Sequence, residues 1–270
     1  MKWLRFLAHR LYTTWCVFWF VLPFVVIFPV LRVLSAYPKT KYAAHLLHRA
    51  WAWAALFFFL LPVKAQGLDK ITPKKQRYVL CPNHSSYTDI LMLLRTVPGF
   101  LNFVGKSSLA KTPLWGRIYA NLYICVDRKS RMSKARSYAQ AKQSLQHGRS
   151  MVIFPEGKIS SDHAGNELLP FHVGAFRLAI EQQVPLVPVT MPYNHLFLPD
   201  LNGKLRVRWH PLTIIFHEPI STEGLTLDDT EWLKNRVYSI IQAELNRHQP
   251  HHANQHRNPA HTGTLSPTGV

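Results

Sequence analysis

Acidic residues are scarce in this chain: 14 Asp and Glu stand against 32 Lys and Arg in 270 residues, a formal charge of +18. That shortage turns the reading toward anionic partners, whether nucleic acid, phospholipid headgroups or phosphorylated and CoA-like substrates. Cysteine is equally rare. Cys16, Cys81 and Cys125 are isolated from one another, which excludes a disulfide framework or a cysteine zinc site. There is no G-x-G-x-x-G, no Walker-type phosphate loop and no internal repeat, so the familiar nucleotide-binding enzymes are set aside.

Charge of either sign is missing from Leu11 to Leu31, where Trp15, Phe18, Phe20, Phe24, Val26 and Phe28 make the stretch apolar all round. About twenty such residues suffice to cross a bilayer. The run is too long for a cleavable signal, and Leu34-Ser35-Ala36-Tyr37 offers no clean small-x-small site, so the segment is expected to stay attached. A second apolar patch, Ala50 to Val63, is cut short by His45, His48 and Arg49 and reads as a re-entrant or interfacial helix. Basic residues flank the first run on both sides, so they assign no orientation. Either the chain spans once, or a hairpin dips into one leaflet with both ends on the same side.

Beyond Lys64 strand-like and helix-like segments alternate. Phe100 to Val104, Leu122 to Val126, Met151 to Phe154 and Pro185 to Met191 read as short buried strands. Lys134 to His147 reads as a helix stopped by Gly148. Asn202-Gly203 signals a hairpin turn, and Leu205, Val207 and Trp209 alternate with Arg206, Arg208 and His210 as a half-buried strand does. Leu233, Val237, Ile240, Ile241 and Leu245 define a last amphipathic helix. The pattern predicts an α/β fold with a mixed sheet behind an N-terminal membrane-embedded helical segment. Its expected divisions are 1–63 for the anchor, 64–247 for the catalytic domain and 248–270 for a disordered, His-rich tail.

Asn83-His84-Ser85-Ser86-Tyr87-Thr88-Asp89 follows the buried run Tyr78 to Pro82. On one continuous helix, positions five apart stand about 140° from each other. His84 and Asp89 therefore meet only if His84 lies in the turn and Asp89 reaches back from the first turn of a helix capped by Ser86 or Thr88. A carboxylate so placed fixes the imidazole tautomer and stabilises the imidazolium, making His84 a candidate base. Three further groups stand at strand ends: Lys106 after Gly105, the pair Asp127-Arg128, and Phe154-Pro155-Glu156-Gly157 followed by Lys158. Ligands gather at such ends in α/β folds. Val184-Pro185-Leu186-Val187-Pro188-Val189 carries two prolines, which predicts an edge or irregular strand.

Taken in order, these residues resemble the lysophospholipid acyltransferase family, of the bacterial 1-acylglycerol-3-phosphate O-acyltransferase type. Asn83, His84 and Asp89 match its N-H-x4-D block, and Lys106 the lysine that follows. Asp127-Arg128 match the end of the second block, Phe154 to Gly157 the start of the third, and Val187-Pro188-Val189 the fourth. Lys158-Ile159 stands where the family usually has Thr-Arg. The resemblance implies acyl transfer from an acyl thioester, on CoA or acyl-carrier protein, to a lysophospholipid hydroxyl at the bilayer. His84 and Asp89 would be catalytic; Lys106, Arg128, Glu156, Gly157 and Lys158 would bind substrate; no cofactor or metal is implied. It also implies a bacterial inner-membrane enzyme with its catalytic domain on the cytoplasmic face. The missing arginine leaves open another lyso-lipid acceptor, such as a lyso-amino-acid lipid. A non-catalytic basic membrane protein is the reading from another class, while the dispersal of basic residues argues against nucleic acid.

Overall fold

The computed structural model describes residues 2–72, 76–159, 167–199 and 205–248. Two helices, α1 (Lys2–Ala36) and α2 (Lys41–Phe58), lead into β1 (Val63–Gln66) and β2 (Val79–Pro82). Then follow α3 (Thr88–Thr96), β3 (Leu101–Lys106), α4 (Trp115–Leu122), β4 (Ile124–Val126), α5 (Arg131–Gln146) and β5 (Ser150–Val152). The chain continues through α6 (Gly174–Glu181), β6 (Leu186–Thr190), α7 (Asn194–Phe197), β7 (Leu212–Phe216) and α8 (Thr230–Arg247). The seven strands are ordered β1-β7-β6-β2-β5-β3-β4. β6, β2, β5, β3 and β4 run parallel; β7 is antiparallel to β6, and β1 follows β7, so the sheet is mixed.

Helices cover both faces, which is why β2, β6 and β7 are buried at every position and read as continuous apolar runs. Alternate residues of β2 divide the core. Leu80 joins Leu56, Met92, Leu93, Ile118 and Val187 under α1 to α4, whereas Val79 and Cys81 join Leu145, Phe176 and Leu178 under α5, α6 and α8. In α8, Leu233, Val237, Ile241 and Leu245 are all fully buried, so truncating one to alanine costs about 2–5 kcal/mol. Ser130 caps α5, its hydroxyl accepting from the Ser133 N–H at 3.2 Å, and Gly148 ends that helix at φ +80°.

α1 does not stand apart from this body. The Tyr12 hydroxyl donates to the Phe59 carbonyl (2.7 Å), Trp15 Nε1 to Phe58 (2.7 Å), and Trp51 Nε1 to Phe20 (3.0 Å). Leu31 and Ser35 are buried, while the opposite face exposes Trp3, Phe6, Leu11, Val21, Val26 and Val30. Trp3–Ala36 is long and apolar enough to cross a membrane. The second apolar patch is corrected: α2 begins at Lys41, and His45 and His48 do not interrupt it, because both are buried. His45 Nε2 accepts from the Leu101 N–H at 3.2 Å, and His48 Nδ1 bonds the Tyr123 hydroxyl.

Three further expectations are revised. β6 lies inside the sheet, between β7 and β2, despite Pro185 and Pro188. The Val189–Phe216 pair and the Leu186–Ile220 bridge are three residues apart on β6 and four on the other segment. Pro188 therefore sits opposite a bulge, where its missing N–H breaks no ladder bond and its carbonyl accepts from the His217 N–H (3.1 Å). Leu205 to Trp209 form no strand; only Val207 is buried, and the strand β7 starts later, at Leu212. Asn202-Gly203 lies outside the described residues, as does 249–270. His248 is held by the Tyr193 hydroxyl (2.7 Å) and Glu244 (3.1 Å). Finally, Tyr87 occupies the N-cap of α3 without a side-chain cap, and the Ser86 hydroxyl takes the Thr88 N–H instead (3.2 Å).

Candidate active site

β2 is the central strand of the sheet, fourth from either edge, and leads its chain directly between the loops after β5 and β6. Asn83, just past its end, is clamped to the β6 side: its Oδ1 accepts from the Met191 N–H (2.7 Å) and its Nδ2 donates to the Met191 carbonyl (3.2 Å). The chain then turns through His84 before entering α3, and Asp89 occupies the first turn of that helix. His84 Nδ1 lies 2.8 Å from Asp89 Oδ2, so the five-residue spacing brings the two side chains together as the turn-then-helix geometry requires.

Asp89 is fully buried, and a lone carboxylate there would be costly. Four donors offset the loss of water. Besides His84, the N–H groups of Ser85 (2.9 Å) and Ser86 (3.0 Å) point at Oδ2, and Asn194 Nδ2 donates to Oδ1 at 2.7 Å. An ionised carboxylate only accepts, so the imidazole nitrogen facing it carries the proton. Nε2 is left with its lone pair, and it meets no hydrogen-bond partner among the described residues. The His84 side chain keeps 15% of its surface open, enough for a substrate hydroxyl to approach. Phe154 stacks on the ring at 3.9 Å and 22°, fixing its plane.

The FPEG turn braces the same residue from the other side. Glu156 Oε1 accepts from the His84 N–H (2.6 Å) and Oε2 from the Leu169 N–H (3.0 Å), so both carboxylate oxygens face backbone. Burial pushes the Glu156 carboxyl above the ordinary glutamate range, and these two N–H bonds oppose the rise. Gly157 closes the turn at φ +74°, where a Cβ would also come within 3.0 Å of the His172 ring. Any side chain there is strained.

Lys106 ends β3, in register with Val126 at the end of β4, and Arg128 follows two residues later. These strands lie two and three places from β2, about 10 and 14 Å away at 4.8 Å per strand. Lys106, Arg128 and Lys158 are exposed, and none forms an ion pair among the described residues. Behind them the Tyr119 hydroxyl is buried without a partner beneath Gly105. The parallel strands thus direct His84, Glu156, Lys158, Lys106 and Arg128 to one edge. Among the described residues, no three His, Cys, Asp or Glu side chains gather to hold a metal ion.

Sequence reasoning missed Asn194, which stands 105 positions from Asp89 and carries no local motif. It also gave Asn83 no structural part beyond the matched block, although its paired bonds to Met191 join the two loops. The ring partner Phe154 was visible only as part of the FPEG run.

The strand ends thus carry a carboxylate-oriented histidine and, two to three strands away, cations unpaired among the described residues, and residues 62–192 match the acyltransferase family model. The chain carries an acyltransferase-family domain over those residues. Among similar curated proteins is the 1-acyl-sn-glycerol-3-phosphate acyltransferase of Limnanthes douglasii, 28% identical over 192 residues, 70% of this chain and 66% of that one. The human 1-acyl-sn-glycerol-3-phosphate acyltransferase alpha is 33% identical over 192 residues, covering 67% of this chain and 62% of its own length. The chain thus spans just under two thirds of these relatives. The crystal structure of the 1-acyl-sn-glycerophosphate acyltransferase of Thermotoga maritima shares the fold, with a TM-score of 0.72 at 20% identity over 90% of this chain and 97% of that one.

Proposed function

We propose that this protein transfers an acyl chain from an acyl thioester to the free hydroxyl of a lysophospholipid, 1-acylglycerol-3-phosphate, giving phosphatidic acid. The observation that carries the reading is His84 with a free Nε2, backed by a buried Asp89 saturated with donors. His84 Nε2 takes the hydroxyl proton as the oxygen attacks the thioester carbonyl. The tetrahedral adduct then collapses, the carbon–sulfur bond breaks, and the imidazolium returns the proton to the departing thiolate. Asp89 stabilises the imidazolium between these steps without itself being protonated. No protein nucleophile and no cofactor is needed, because the thioester is already activated.

Lys106 and Arg128 hold the acceptor's phosphate. The distance of two to three strand spacings from β2 is bridged by a long basic side chain and the glycerol phosphate together. Glu156 and Gly157 act on substrate through the turn that fixes His84, and Lys158 adds positive charge beside it. The exposed apolar face of α1, with Trp53, Phe57, Leu60 and Trp209, rests on the bilayer, so a single-chain lipid enters laterally. Residues 1–63 are then the anchoring part and 64–247 the catalytic part, on the cytoplasmic face of a bacterial inner membrane. Ile159, in place of arginine, favours a second acceptor class, another lyso-lipid lacking a phosphomonoester.

The test is an assay of the purified full chain with a panel of lyso-lipids and with acyl-CoA and acyl-carrier protein as donors. Phosphatidic acid as the main product supports the reading. Turnover only of lyso-lipids without a phosphomonoester replaces the acceptor, and transfer from neither donor overturns the activity.

A further inference from the structure

The N-terminal edge of the sheet holds a second basic feature that acyl transfer does not use. An open cleft of about 390 Å³ lies between the start of α2, the loop before β3 and the turn before β5, lined among others by Lys39, Tyr42, Phe100, His147 and Arg149. Phe100 is its aromatic surface: the Arg149 guanidinium lies 4.5 Å from the ring centroid, and the buried His45 ring stacks on it at 4.4 Å. Arg49 donates to the carbonyl of Gly99, a lining residue, at 3.3 Å. β3, six residues long, separates Phe100 from Lys106, so the cleft is about 20 Å from the catalytic edge.

This cluster has no acidic counterpart. The chain has no Asp or Glu from residue 1 to 68, from 90 to 126, or from 128 to 155, and these segments build the cleft. Among the described residues, Lys39, Lys41, Arg49 and Arg149 form no ion pair. Burial, together with the charge of Arg149, pushes the Lys41 ammonium below the ordinary lysine value, as expected of a cation held without its counterion. The position points to the ligand's source. Pro38 and Lys39 follow directly on α1, whose outer face is exposed and apolar as far as Val33, and Tyr37 and Tyr42 stand exposed at this end. Aromatic and basic residues at the end of an apolar helix lie at headgroup depth.

We propose that this cleft is a second anion site, distinct from the catalytic edge, that takes the phosphate of an anionic phospholipid headgroup between Lys39 and Arg149. The lipid source rests on the membrane association proposed above; the phosphate chemistry does not. Arg149 is held ready by its ring, and Lys39 and Lys41 close on the phosphate as point charges.

The test is native mass spectrometry of the detergent-solubilised full chain, titrated with phosphatidylglycerol, phosphatidylcholine or inorganic phosphate. Wild type is expected to retain one phosphatidylglycerol in preference to phosphatidylcholine. Lys39→Gln with Arg149→Gln should weaken it about thirtyfold, the worth of two basic groups at an anionic surface. Lys39→Arg with Arg149→Lys should restore it. Lys129→Gln with Arg136→Gln, an equal charge loss elsewhere, should change it less than about threefold. Acyl transfer by Lys39→Gln/Arg149→Gln in detergent should be unchanged, which separates this site from the catalytic reading. Equal lipid affinity in wild type and the Lys39/Arg149 pair overturns the proposal, as does an equal loss from the Lys129/Arg136 pair. Occupancy by inorganic phosphate with no preference for the lipid overturns the lipid assignment.

Discussion

His84 and His48 are each held through Nδ1, in opposite electrical surroundings. At the catalytic edge His84 faces the Asp89 carboxylate and keeps one nitrogen open. Beneath α1 and α2, His48 faces the neutral Tyr123 hydroxyl, stacked with Trp51 and close to Trp115, with His45 nearby. Burial pushes His48 down to about 3 and His45 to about 4, so both are neutral struts at physiological pH. The same side chain is a candidate base in one place and core packing in the other. What separates the roles is whether a carboxylate shares the desolvated space and whether the second nitrogen reaches substrate.

The largest effect should come from removing the open histidine. His84→Ala is expected to lower the rate about 10²–10⁴-fold in a steady-state transfer assay while the circular dichroism spectrum is unchanged. His48→Gln should leave the rate within an order of magnitude and act on stability instead. A His48 variant as slow as His84→Ala would erase the contrast.

Acid should separate the two regions next. His45 and His48 have folded values below the unfolded 6.5, so the unfolded chain binds more protons as pH falls. Their contribution is complete above pH about 6.5 and is lost progressively toward pH 4 and 3. Each histidine contributes about 1.4 kcal/mol per pH unit below 6.5, so the two together lose about 4 kcal/mol between pH 7 and 5. Urea unfolding at the two pH values measures it, and the His45→Gln/His48→Gln protein should show a clearly smaller slope.

Asn194 sharpens the comparison within the catalytic edge. Its bond to a buried carboxylate is the kind worth about 1.5–3 kcal/mol, so Asn194→Ala should cost 10- to 100-fold in kcat, with little change in the donor's KM. The smallest effect is expected at the exposed cations. Lys106→Ala or Arg128→Ala should raise the KM for 1-acylglycerol-3-phosphate about fivefold and leave the thioester's nearly unchanged. If discrimination between phosphorylated and unphosphorylated lyso-lipids survives both, the phosphate assignment fails.

The His84–Asp89 pair was legible because its spacing is local: a turn, one helical turn, and a carboxylate reaching back. Its support was not. Asn194 arrives at the first position of α7, after β6, and nothing in the chain near Asp89 announces that β6 will lie beside β2. The prolines of β6 pointed to an edge because proline removes a donor; the bulge opposite Pro188, which makes that loss harmless, depends on a register no single strand encodes. β7 was missed for a related reason. Its five buried residues have no alternation, whereas Leu205 to Trp209 alternate without pairing, since Val207 turns toward Thr13 of α1 at 3.3 Å. His45 and His48 looked like interruptions of an apolar helix, because their partners, Leu101 and Tyr123, lie more than fifty residues on.

The central claim is that Asp89 acts through His84 and has no separate role in the chemistry. A double-mutant cycle on kcat tests it, comparing Asp89→Asn in the wild-type background with Asp89→Asn in His84→Ala. The account predicts a large loss in the first and almost none in the second, so that the double variant is no slower than His84→Ala alone. Losses that multiply would contradict it.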